Sequence, residues 1–94
     1  MAMTPETAEL IAIRGLAWLA GQEDLLNVFL GATGASLEDA QRRAGDPEFL
    51  GSVLDFILMD DDWVLGFAAE NGLAPEDAMN ARRYLPGGDV PSWT

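Results

Sequence analysis

A chain of 94 residues has the size of one domain, and 49% hydrophobic residues with three Trp and four Phe give it the material for a core, which excludes a disordered chain. It holds no Cys, which excludes disulfides and thiolate metal sites. Sixteen acids stand against five basic residues, all arginine, with no His, and the resulting net charge of −11 opposes binding to a phosphate backbone or an anionic lipid surface.

The chain starts "MAMTPETAELIAIRGLAWLAG", with Glu6, Glu9 and Arg14 interrupting its apolar residues and no basic stretch ahead of them. The expectation is that this is neither a signal peptide nor a membrane span and that the protein is soluble and cytoplasmic. Thr4-Pro5-Glu6 predicts a helix start, with Thr4 as N-cap and Pro5 at the first helical position. That helix runs to about Ala20, where Gly21 stops it. A second is expected from about Glu23 to Thr33, ended by Gly34. Ser36 then caps a third, with Asp39 three residues on completing a capping box. Asp46-Pro47 opens a fourth, "PEFLGSVLDFILM", whose Phe49, Leu50, Val53, Leu54, Phe56, Ile57 and Leu58 spread over an arc of roughly 200°. "DDD" (Asp60 to Asp62) supplies the acidic start of a fifth helix, about Asp62 to Glu70, and Asn71-Gly72 ends it. Pro75-Glu76-Asp77 opens the sixth, which reaches about Tyr84. The Pro/Gly-rich "LPGGDVPSWT" has no periodicity and reads as a mobile tail. The expectation is an all-α fold: a compact bundle of about six short helices over residues 1–85, followed by a tail over 86–94.

"GASLEDAQRR" and "GLAPEDAMNARR" echo one another. An offset of 38, the spacing of Gly34 from Gly72, also aligns Leu16 with Leu54, Asp24 with Asp62, Phe29 with Phe67, and Glu38-Asp39-Ala40 with Glu76-Asp77-Ala78. Two readings stand side by side: two three-helix halves related by duplication, or cap signals that any helical bundle reuses. The arginine pairs fall two residues out of that register.

Helix, glycine turn, helix is also the outline of a DNA-reading element. Yet a reading helix presents its N-terminal residues to the bases, and here those are Glu38-Asp39 and Glu76-Asp77. Arg42-Arg43 and Arg82-Arg83 sit in last turns, where the helix dipole already favours cations. Asp55 with Asp60-Asp61-Asp62 lacks the alternating spacing of a calcium loop, so no metal or cofactor is expected. Without His, Cys or Lys the usual bases and nucleophiles are missing; Ser36 reads as a cap and Ser52 has no visible base. No catalytic residue is assigned, and a non-enzymatic protein is expected.

The first and fourth helices are apolar on most sides, and two such helices are hard to cover in so short a chain. An uncovered apolar patch marks a protein partner or a second copy. The residues assigned to partner binding are Phe56, Met59, Trp63 and Trp93. A helical protein-interaction module, open to self-association, is the leading expectation. An acidic regulator that meets a basic partner by charge is the alternative, and a helix-turn-helix regulator ranks last.

The segments "ETAELIAIRGLAWLA", "GDPEFLGSVLDFILMDD" and "GLAPEDAMNARRYLPGG" together resemble a family of short bacterial cytoplasmic proteins, the domain of unknown function family 3572. The resemblance covers nearly the whole chain. It implies an all-helical single domain and carries no activity, cofactor or site residue with it.

Overall fold

The computed structural model describes residues 3–22 and 24–87. Six α-helices follow in chain order: α1 Pro5–Ala20, α2 Leu25–Thr33, α3 Leu37–Arg42, α4 Pro47–Ile57, α5 Asp61–Asn71 and α6 Pro75–Arg83. No strand occurs among the described residues. No helix among them is long and apolar enough to cross a membrane.

The breaks are chemical. The side chain of Thr4 accepts from the Thr7 amide, that of Asp46 from Glu48, and that of Asp60 from Asp62 and Trp63, satisfying amides that a helix start leaves unpaired. Ser36 and Asp39 form the reciprocal box: Ser36 Oγ accepts from the Asp39 amide, and Asp39 accepts from the Ser36 amide. At α6 only half of that arrangement exists. Asp77 accepts from the Ala74 amide at 2.9 Å, but Ala74 has no oxygen to return the bond. Gly34 and Gly72 end α2 and α5 with φ of 74° and 66°, a conformation most side chains resist. In both turns the following amide reaches back to the last helical turn, Ala35 to Leu30 and Leu73 to Ala68. Helix α2 is described from Leu25, the expected start at Glu23 lying outside the described residues, and α5 is capped by Asp60, ahead of the expected start at Asp62.

Helix α4 lies at the centre. Phe49, Leu50, Val53, Leu54, Phe56 and Ile57 are all at most 5% exposed, because α1, α2 and α6 each pack against it. Its wide apolar arc is therefore covered, and the uncovered surplus expected on two helices is confined to α1, where Leu10 is 59% and Ile13 41% exposed. Helices α1 and α4 approach closely at Gly15: a Cβ placed there would meet Ile57 Cδ1 at 3.0 Å and Val53 Cγ1 at 3.4 Å. Aromatic rings tie the elements together. Phe29 of α2 makes edge contacts with Phe49 and Phe56 of α4, and Phe56 stacks on Trp63 of α5 with centroids 4.8 Å apart. Trp18 of α1 lies tilted against Phe67 of α5 and donates its indole N–H to Glu70 at 3.1 Å.

Leu85, the last residue of the expected domain, is a core residue at 3% exposure. Arg82 holds it there. The guanidinium donates to both carboxylate oxygens of Asp55 on α4 and to the backbone carbonyls of Leu85 and Pro86. It lies over Gly51, where a Cβ would stand 3.0 Å from Nη1.

Candidate functional site

Helix α3 is the least embedded element. It has six residues and only Ala40 is buried; the other helices pack on one another more extensively than on it. At its C-terminal end Arg43 lies over the Phe49 ring at 5.3 Å and pairs with Asp46, so α3 is tethered at one end while its body stands away from α1. The gap is an apolar groove of about 440 Å³. Ile13, Leu16, Ala17 and Ala20 of α1 form one wall, and Leu37, Ala40 and Gln41 of α3, with Ala44 beyond it, form the other. Leu26 of α2 also lines it.

Spacings of three and four along α1 put Ile13, Leu16, Ala17 and Ala20 on one stripe. Leu37, Ala40, Gln41 and Ala44 repeat that spacing on the other wall. Gln41 is the only polar side chain among these lining residues, so the groove holds no base, nucleophile or charged group and is suited to apolar side chains. Leu37 is 53% exposed at its lip. A wider, more polar hollow of about 800 Å³ is lined by Met3, Asn80, Arg83, Tyr84, Leu85 and Pro86. Its lining is mixed, with Asn80, Arg83 and Tyr84 beside the apolar residues.

Of the residues assigned to partner binding, Phe56 is 5% exposed and belongs to the core. Trp63 covers it by stacking and is half-buried. Met59, 76% exposed, projects from the turn between α4 and α5. Trp93 lies outside the described residues. The structure thus brings Phe56 and Trp63 together, but as internal packing. Periodicity could not single out the groove: its walls are ordinary helical spacings, and the gap exists only because α3 is short and stands off.

Three of the four arginines in the echoed segments are held by carboxylates of the same chain: Arg42 by Asp39, Arg43 by Asp46 and Arg82 by Asp55. Asp39 has its pKa lowered below the ordinary carboxylate value, first by the hydrogen bond from the Ser36 backbone, then by the Ser36 side chain and Arg42. No group of three or more His, Cys, Asp or Glu that could hold a metal occurs among the described residues.

Comparison with known proteins finds no matching curated protein and no matching solved structure. A family model does match, over residues 5–88, which takes in all six helices and both walls of the groove. The chain belongs to the family described as protein of unknown function DUF3572.

Proposed function

We propose that this is a non-enzymatic protein-interaction module of the bacterial cytoplasm, docking a partner through the groove between α1 and α3. The observation that carries the reading is the open apolar lining of that groove, bounded by the exposed Ile13 and Leu37. Burying such side chains against a partner releases about 25 cal/mol per Å² of apolar surface before the costs of association. The absence of His, Cys and Lys, together with a groove lining free of ionisable groups, fits a binding role better than a chemical one.

Quantitative affinity capture tests it with three forms of the chain: wild type, the double variant I13D/L37E, and L65E as a surface control on α5. Leu65 is 54% exposed and outside the groove. Proteins retained by wild type and L65E, but lost from I13D/L37E, are the expected result. Equal retention by all three would contradict docking through the groove.

A second reading, an acidic regulator that engages a basic partner by charge alone, draws on the pairing of Arg42, Arg43 and Arg82 with carboxylates, which leaves the remaining acids as the dominant field. Binding of that kind weakens steeply with salt and ignores I13D/L37E.

A further inference from the structure

At the sequence offset of 38 the groove residues align with residues of the second half of the chain, and comparing the two indicates what the groove lacks. At the offset of 38, α2 and α3 fall on α5 and α6, and the glycine stops Gly34 and Gly72 coincide with matching positive φ. The groove residues Ile13, Ala17 and Ala44 then correspond to Gly51, Asp55 and Arg82. In the second half, therefore, the space between α4 and α6 is filled from within. Arg82 lies across Gly51, pairs with Asp55 and holds the carbonyls after α6. In the first half Ala44 is too short to cross, Ile13 and Ala17 offer no ionic partner, and the space between α1 and α3 stays open and apolar.

The charges around the groove point to one kind of occupant. Glu9 and Glu6 lie four and seven residues before Ile13, so they extend the same stripe of α1 beyond the groove's end. Glu6 is exposed and Glu9 partly so, and neither takes part in an ion pair among the described residues. Arg14 lies about 100° around the helix from Ile13, off the stripe. A second copy of the chain would bring another −11 of charge to this face.

We propose that the groove receives an amphipathic helix of a partner protein, its apolar residues seated against Ile13, Leu16 and Leu37 and its cationic residues directed to Glu6 and Glu9. This rests on the docking reading above and specifies its partner. Helix-in-groove recognition uses apolar anchors at spacings of three, four and seven, and rim charges set on-rate and salt dependence.

Fluorescence anisotropy with three synthetic helical peptides tests it. They share one Leu/Ala stripe, and the residues that continue that stripe past the end of the groove are Lys/Arg, Glu or Gln. The Lys/Arg peptide should bind the wild-type chain most tightly and lose affinity as salt rises. I13D or L37E should weaken it by roughly tenfold or more, although each adds a negative charge that would strengthen unspecific attraction. E6Q/E9Q should weaken it by a few-fold at low salt and flatten the salt dependence. Circular dichroism confirms that the variants, all at positions not fully buried, keep their helices. If the Glu or Gln peptide binds the groove as well as the Lys/Arg peptide, or if E6Q/E9Q changes nothing, the charge assignment is overturned while the docking reading stands. If the Lys/Arg peptide binds I13D and L37E as well as wild type, binding is general charge attraction and the groove assignment fails. If no peptide binds, both fail.

Discussion

Arg82 carries five N–H donors, and its contacts with Asp55, Leu85 and Pro86 link α4, α6 and the chain that follows α6. Its side chain is only 15% exposed while Asp55 is 58% exposed, so solvent screens the pair from one side and the carbonyl bonds and packing carry much of the effect. Replacing Arg82 with Met should cost about 1–2 kcal/mol of unfolding free energy. Gly51 supplies a coupled test. Gly→Ala inside a helix ordinarily gains up to about 1 kcal/mol, but here the new methyl meets the guanidinium at 3.0 Å. Denaturant unfolding should therefore show G51A as clearly more stabilising in the R82M background than in wild type; equal effects in both would mean that the glycine is not there to seat the arginine. Asp39 gives a pH test of the α3 cap. A carboxyl whose folded pKa is lowered contributes stability that is present above its unfolded value and lost as pH falls through the folded value. A carboxyl-detected NMR titration should place the Asp39 midpoint below 3.8, and S36A, which leaves the backbone bond and removes the side-chain one, should move it up toward that value.

At the scale of elements, several helix starts were legible because each rests on one local device, such as Thr4, Ser36 or Asp46, and the ends of α2 and α5 because Gly34 and Gly72 take positive φ. Three features were not legible. The arc of apolar residues on α4 shows how wide its buried face can be, but the coverage depends on which helices surround it: α1, α2 and α6 pack against it and Trp63 of α5 stacks on its Phe56. Likewise α1 and α4 look equally apolar in sequence, yet only α1 retains exposed Leu10 and Ile13. The α1–α4 crossing at Gly15 was also hidden, since a glycine in mid-helix gives no sign of what approaches it. Packing a larger residue there should be costly: G15V is expected to lose roughly 1–3 kcal/mol by overpacking against Ile57 and Val53, read as a lower denaturation midpoint. At the core centre, Phe29 is fully buried and bridges two aromatic rings of α4, so F29A should cost about 3–5 kcal/mol.

For the whole molecule, a Cα radius of gyration of 12.5 Å matches the roughly 13 Å of a compact 100-residue domain. A net charge of −11 in that volume repels itself. Adding salt to shorten the Debye length from about 30 Å to about 8 Å should raise the thermal midpoint by a few degrees in calorimetry; a fall would mean that the ion pairs of Arg42, Arg43 and Arg82 outweigh the repulsion. Composition made the charge plain, and it made a phosphate-binding role unattractive. What it left open was where apolar surface meets acid, because that depends on α3 standing off from α1, whose stripe continues past the groove to Glu6 and Glu9. Site-specific photocrosslinking in living cells examines that face most directly, with the photoreactive residue placed at Leu37, at Ile13, or at Leu65 and Met79 as exposed controls. The account predicts a discrete crosslinked partner from positions 37 and 13 and none from 65 and 79. Crosslinks from the control positions alone, or none from the groove, would contradict it.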